Sequence, residues 1–186
     1  MQTLLLVIAT IAASGLVYPI YAAGEAANPY AGQQSRGIKA LSEADVAALR
    51  GGEGTGLAKA AELNGYPGPR HVLDLARQLG LGETQKRQAM AIRDRMSATA
   101  RSLGATLIER EAALDRRFAS GEITPERLNE EMAAIGDAQA RLRAAHLLAH
   151  IETRAILSTE QVERYNRLRG YQEPASAPAH RGDHRH

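Results

Sequence analysis

The segment from Glu83 to Ala119 contains no proline and a single glycine, Gly104. Six of its large apolar residues recur at alternating intervals of four and seven positions, and they are Ile92, Met96, Leu103, Leu107, Leu114 and Phe118. This spacing is typical of a long helix that packs along one narrow apolar seam, as in a coiled coil. Ser120 and Gly121 then predict the end of that helix.

A second long helix is predicted after a short turn. Thr124 is a suitable N-cap, Pro125 fits the first helical position, and Glu126 places an acid in the first turn. The apolar residues that follow have similar spacing, and they are Leu128, Met132, Ile135, Leu142 and Ala149. Two long helices joined by a short turn form an antiparallel hairpin. Its single seam is too little core for an isolated molecule, so shorter helices or a second copy must cover it, and a homodimer is predicted.

The composition favours an all-α fold and excludes several classes of protein. Good helix formers such as Ala, Leu, Arg, Glu and Gln are abundant, and the chain has one Phe and no Trp. The absence of cysteine excludes disulfides and thiolate metal sites. The formal net charge is +2, and 23 basic residues are mixed with 21 acidic ones, unlike the concentrated basic stripe of a nucleic-acid-binding protein. Shorter helices are expected at 42–50, 57–63, 70–79 and 158–169.

The N-terminus predicts export from the cytoplasm. The apolar run from Leu4 to Val17 has the length of a signal-peptide core, and small residues at Ala22 and Ala23 follow it. Residues 1–23 are therefore predicted to be a signal peptide. An uncleaved anchor is the alternative, because the apolar segment approaches the roughly 20 residues that span a bilayer. The other predicted divisions are short helices broken by Gly and Pro at 24–69, a hairpin domain at 70–171, and an unfolded His-rich tail at 172–186.

His146 and His150 are the most informative polar pair. A separation of four residues places both imidazoles on one helix face, near enough to share a metal ion. Leu147 stands where a zinc-protease motif would need Glu. His71 and Glu62 are the candidate further ligands. The alternative interpretation is that His146 continues the apolar seam as a hydrogen-bonded core histidine, with His150 a partly exposed neighbour.

Three tail histidines form a weaker candidate metal site, and they are His180, His184 and His186. Nothing predicts catalysis. The chain has no cysteine nucleophile and no serine in a Gly-x-Ser-x-Gly setting. The glycine cluster at 51–56 lacks the Gly-Lys-Ser/Thr ending of a phosphate loop. We therefore expect a binding protein and not an enzyme.

Two short segments resemble a motif of a known family. Leu81–Gln85 and Leu157–Gln161 are similar to the Leu-Thr-x-x-Gln motif that begins helices in the Spy/CpxP family of periplasmic proteins, which includes CnrX-like heavy-metal sensors. The motif positions are Leu81, Thr84, Gln85, Leu157, Ser158 and Gln161. In the second segment Ser158 stands in place of the motif's Thr, and in the first segment Gly82 does. Gly82 is the weaker helix cap of the two. The resemblance covers roughly residues 30 to 171.

The resemblance implies a periplasmic stress protein with one of two activities. Spy-like members are ATP-independent chaperones, curved helical homodimers that hold unfolded envelope proteins on a concave face with apolar and basic residues. CnrX-like members are sensors in which helix-borne His pairs bind nickel or cobalt and signal to an inner-membrane partner. His146 and His150 have the spacing of such a pair, so a divalent transition metal (Ni, Co, Cu or Zn) is a candidate ligand. A CpxP-like signalling role would need no metal. Of these activities, we favour the chaperone.

Overall fold

The structure, a computed structural model, describes residues 28–171, and this part of the chain is helical and contains no strand. The helices are α1 (Glu43–Gly51), α2 (Lys59–Glu62), α3 (Pro69–Asp74), α4 (Ala76–Leu79), α5 (Glu83–Ser120), α6 (Pro125–Ala155) and α7 (Thr159–Arg169), after a 3-10 turn at Gln33–Ser35. The predicted all-α fold is confirmed. None of the described helices is long and apolar enough to cross a membrane.

Residues 35–171 belong to one compact unit, and residues 28–34 belong to another. The signal peptide or anchor predicted for residues 1–23 lies outside the described residues, as do the tail histidines His180, His184 and His186.

α5 and α6 form the predicted antiparallel hairpin. The ion pair Arg95–Glu152 joins the two helices far from the turn, and Arg117–Glu131 joins them close to it. α5 ends at Ser120, because Gly121 takes a left-handed conformation with a φ of 72°. α6 begins where the sequence predicts, with the Thr124 hydroxyl accepting a hydrogen bond from the Arg127 amide at 3.3 Å.

The shorter helices differ in detail from their predictions. The second predicted helix, 57–63, is confined to the single turn of α2. The third, 70–79, is two short helices, because Leu75 leaves the helical region with φ −98° and ψ 12°. Val72 and Leu79, on either side of this break, are both buried in the same apolar cluster.

The predicted apolar seam is confirmed over most of the hairpin, and the prediction is wrong near the turn. Ile92, Leu103 and Leu107 are buried as predicted, and so are Ile135, Leu142 and Ala149. Phe118 and Met132 are exposed instead. The space between the helices there is occupied by the buried carboxylate of Glu131, which pairs with Arg117 at 3.0 Å.

The two segments that resemble the family motif meet at the base of the hairpin. Leu81 and Leu157 are both buried in one apolar cluster with Val162 and Tyr165 of α7. The Gln85 amide donates to the Gln161 carboxamide oxygen at 2.8 Å, and the Gln161 amide returns a bond to Gln85 at 3.2 Å.

Each of these glutamines also caps its own helix. The Gln161 carboxamide oxygen accepts from the Ser158 amide at 3.0 Å, and the Gln85 oxygen accepts from the Gly82 amide at 3.0 Å. The Ser158 hydroxyl caps α7 in return, by accepting from the Gln161 amide at 3.2 Å. The capping role predicted for Ser158 is confirmed. The glutamine of each motif segment thus caps its own helix and also contacts the glutamine of the other segment.

α1 covers the hairpin seam at Gly104. A Cβ atom at Gly104 would stand 2.3 Å from the Leu49 carbonyl oxygen, so α1 and α5 approach each other through a position without a side chain. Leu49 packs against the apolar cluster of the hairpin, which includes Leu103 and Leu142. The single glycine of α5 is therefore the point at which α1 packs most closely on the hairpin.

We predict that Gly104→Ala destabilises the protein by about 1–3 kcal/mol, because the new methyl group forces α1 away from α5. The measurement is the free energy of unfolding from urea denaturation. Gly136→Ala is the matched control, because a Cβ at Gly136 in α6 meets nothing within 4 Å. That substitution should stabilise the protein by up to about 1 kcal/mol. Equal effects of the two substitutions would contradict the close packing at Gly104.

Candidate ligand-binding cleft

A cleft of about 600 Å³ lies beside α6, and its walls come from the loop 51–56 and from α2, α3, α5, α6 and α7. The four residues predicted as metal ligands all line it: Glu62, His71, His146 and His150. Residues far apart in the sequence are thus brought to one place. The glycine loop forms one wall of the cleft.

His146 lies in the interior, only 4% exposed. Burial, with a smaller contribution from neighbouring His150, lowers the pKa of its imidazole. The ring packs against the backbone at Gly54, where a Cβ would stand 3.2 Å from His146 Nδ1. Its Nε2 atom is buried and has no hydrogen-bond partner among the described residues. The burial agrees with the core interpretation, but the hydrogen bond expected of a core histidine is missing.

His150 is held in one orientation by the turn after α2. Its Nδ1 atom lies 2.7 Å from the Tyr66 carbonyl oxygen. A carbonyl oxygen only accepts hydrogen bonds, so Nδ1 carries the proton, and in the neutral ring Nε2 carries the lone pair. A Cβ at Gly68 would stand 2.9 Å from His150 Nε2, so this glycine leaves room for the imidazole.

Glu62 is the most highly connected side chain of the cleft. Its Oε1 atom accepts hydrogen bonds from the hydroxyls of Tyr165 at 2.5 Å and Tyr171 at 3.0 Å. Its Oε2 atom accepts from the Gly68 amide at 3.2 Å. The Arg169 guanidinium lies 3.6 Å from Oε1. The carboxylate thereby ties α2 to the start of α3 and to the C-terminal end of the described chain.

Sequence reasoning placed no residue of α7 in the site. Tyr165 is fully buried, and burial together with its hydrogen bond to Glu62 raises the pKa of its hydroxyl well above the usual range. It therefore remains a hydrogen-bond donor. Arg169 lies over the ring of Tyr171, 5.5 Å from its centroid, and lines the cleft. No motif or spacing in the sequence pointed to Tyr165, Arg169 or Tyr171.

Cations outnumber carboxylates around the cleft. Its basic residues are Lys59, Arg70, Arg93 and Arg169, and its acidic residues are Glu53 and Glu62. Glu62 accepts three hydrogen bonds and lies 3.6 Å from the Arg169 guanidinium, so its oxygens are largely occupied and its charge is partly compensated.

The predicted metal site stays a prediction. No group of three His, Asp or Glu side chains within residues 28–171 is placed so that it could hold a metal ion. His71 lines the cleft, but its Nδ1 atom faces Asp74, 3.8 Å from the carboxylate. Burial, followed by the nearby charge of Arg169, lowers the pKa of His71.

A second concave surface runs along the hairpin itself. It is a groove of about 390 Å³ between α5 and α6. Apolar and small residues dominate its lining, which includes Ile92, Met96, Leu103, Ala144, Ala145, Leu148 and Ala149. Arg95 and Arg141 also line it, and they pair with Glu152 at 2.8 Å and Asp137 at 3.5 Å.

No protein-family model, curated protein or solved structure matches the chain. The cleft and the groove are therefore interpreted from their own geometry and charge.

We predict that His146 makes the protein less stable in mild acid. Because burial lowers its pKa below the ordinary value of 6.5 in the folded state, the unfolded chain binds more protons in the window just below that value. The free energy of unfolding should therefore fall as the pH drops through this window, by at most about 1.4 kcal/mol per pH unit.

The measurement compares the wild type with His146→Leu by urea denaturation across this range. The loss of stability on acidification should be smaller in the variant. A difference between the two proteins that stays constant with pH would contradict the lowered pKa.

Proposed function

We propose that the protein is an ATP-independent chaperone of the Spy/CpxP type, which binds unfolded polypeptide segments along its helical hairpin. The observation that carries this proposal is the open apolar groove between α5 and α6. Leu148 lines the groove and is 57% exposed. A large aliphatic side chain in that position is available to a partner, and exposed apolar surface of this kind marks interaction sites.

The exposed apolar surface extends beyond the groove. Ile151 follows Leu148 by three residues, on a neighbouring position of the same helix face, and it is 52% exposed. The two long helices also expose Met90, Phe118 and Met132. Apolar side chains spread along a rod suit a client that presents many short apolar stretches and no fixed shape.

The arginines of the groove add a second kind of contact. Arg95 and Arg141 each lie beside apolar residues while pairing with an acid on the surface. Such exposed pairs contribute little to stability and exchange partners easily. They support binding to carboxylates and carbonyl groups of an unfolded chain.

The remaining parts of the proposal come from the sequence. The apolar run Leu4 to Val17 supports action outside the cytoplasm, in the periplasm, and the narrow seam supports a homodimer. A metal-dependent sensor is the alternative, because Glu62, His71, His146 and His150 line one cleft. With cations outnumbering carboxylates there, we favour the chaperone.

We predict that the full-length protein suppresses the aggregation of an unfolded client at about equal molar amounts, as followed by light scattering. The double substitution Leu148→Ser and Ile151→Ser should weaken client binding by about tenfold or more, because each lost side chain removes roughly 1–2 kcal/mol of apolar contact.

Leu168→Ser is the matched control for this experiment. Leu168 is 48% exposed but belongs to α7 and does not line the groove, so its substitution should leave the activity unchanged. A client that aggregates as if the protein were absent would refute the chaperone. Equal losses in the control and in the double variant would refute the groove as its binding surface.

A further inference from the structure

We infer that the cleft beside α6 binds a small solute through an oxyanion group, a phosphate or a carboxylate, between the loop 51–56 and the basic side chains opposite it. This inference concerns a site separate from the groove proposed for clients. It depends on three independent features of the cleft: free cations, free backbone amides and a buried histidine without a partner.

Two basic side chains of the cleft have no partner within residues 28–171. Lys59 and Arg70 line it, and neither side chain makes an ion pair or a hydrogen bond within residues 28–171. Both residues are exposed, and both have basic side chains. Arg93 also lines the cleft and pairs with the adjacent Asp94 at 2.7 Å. The cleft can therefore offer cationic donors to a ligand without breaking an internal contact of Lys59 or Arg70.

The glycine loop offers backbone donors on the same cleft. The amides of Gly54, Thr55 and Gly56 donate no hydrogen bond to another part of the described chain. Thr55 and Gly56 have positive φ angles of 32° and 90°. Successive amides in turn and left-handed conformations form concave donor sites that bind anions.

Thr55 makes the loop conformation unusual. It is the only residue other than glycine with a positive φ in the part of the chain that the structure describes. A side chain with a branched Cβ disfavours that conformation. Strained backbone of this kind concentrates at ligand-binding positions, where the surrounding structure maintains it.

His146 supplies the third feature. It lines the cleft, is 4% exposed, and its Nε2 atom lacks a partner among the described residues. A buried polar atom without a hydrogen bond costs free energy, which a bound ligand or an ordered water can offset. The Nδ1 and Cε1 atoms of the ring pack against Gly54, so a ligand on the loop would lie next to this edge of the imidazole.

Charge decides between an anion and a metal cation. A cation would enter a cleft lined by four basic residues, Lys59, Arg70, Arg93 and Arg169, against Glu53 and Glu62. Glu62 is already engaged by two tyrosine hydroxyls and an amide. An anion would instead meet the side chains of Lys59 and Arg70 and the loop amides, which have no partner among the described residues. The volume of about 600 Å³ is in the range of small-molecule sites, so the oxyanion group would belong to an organic solute.

The test is calorimetric titration of the full-length protein with two probes, inorganic phosphate and citrate, at neutral pH and low salt. We expect saturable binding of at least one probe, and the comparison of the two distinguishes a phosphate group from a carboxylate. Lys59→Gln and Arg70→Gln should each weaken that binding by about tenfold, because each removes a charge-assisted contact. Circular dichroism establishes that both variants remain folded.

Lys86→Gln is the matched control. It removes the same charge from α5 at a residue that does not line the cleft and that pairs with Glu83 at 2.7 Å, so it should leave the affinity unchanged. Equal weakening in this control would overturn the inference, because binding would then follow the overall charge. The absence of saturable binding of either probe up to about 10 mM would also overturn it. So would Ni²⁺ or Zn²⁺ binding that is lost in His150→Asn and unaffected by phosphate.

Discussion

The hydrogen-bonded carboxylate of Glu62 is the contact on which the arrangement of the cleft depends. Taking a carboxylate out of water costs several kcal/mol unless polar partners replace the lost hydration. Here those partners come from two tyrosine hydroxyls of the C-terminal part, an amide at the start of α3 and a nearby guanidinium. Their removal would leave the charge poorly compensated. A polar group therefore ties α2 to the start of α3 and to α7, in a chain with few aromatic residues to bury.

Several glycines allow the N-terminal segment to approach the long helices closely, and three of them admit a helix backbone or a histidine ring. Gly104 admits the backbone of α1, Gly54 admits the ring of His146, and Gly68 admits the ring of His150. At each position a methyl group would meet a neighbouring atom at 3.2 Å or less. Only one of these glycines lies in a long helix. The other two lie in loops, where a glycine is usually explained by turn geometry.

The hairpin could be predicted from the sequence because the patterns that specify it involve residues close together in the chain. The ends at Gly121 and Thr124, and the buried positions Ile92, Leu103 and Ile135, follow from capping residues and helical periodicity. The exposed Phe118 was predicted incorrectly, because periodicity cannot show that the ion pair of Glu131 occupies the space near the turn.

The cleft was predictable only in part. The pair of histidines on α6 follows from spacing alone, and the guess that Glu62 and His71 would join them is consistent with the lining of the cleft. The contributions of Tyr165 and Arg169 depend on contacts across about a hundred positions of the chain, such as the bond between Tyr165 and Glu62. Equally, the excess of positive charge in the cleft is not visible in a net charge of +2, because it arises from which side chains the fold brings together.

Because of the reciprocal amide contact between Gln85 and Gln161, the base of the hairpin responds to salt and acid differently from the surface pairs along α5 and α6. Amide groups carry no net charge, so neither ionic strength nor acidity directly alters the two hydrogen bonds of this contact. The two long helices pack through their apolar seam, and surface pairs such as Arg95 with Glu152 add to it. Salt screens these pairs, and acid neutralises their carboxylates. A change of salt or acidity in the medium therefore alters the surface contacts of the hairpin and leaves the amide contact at its base in place.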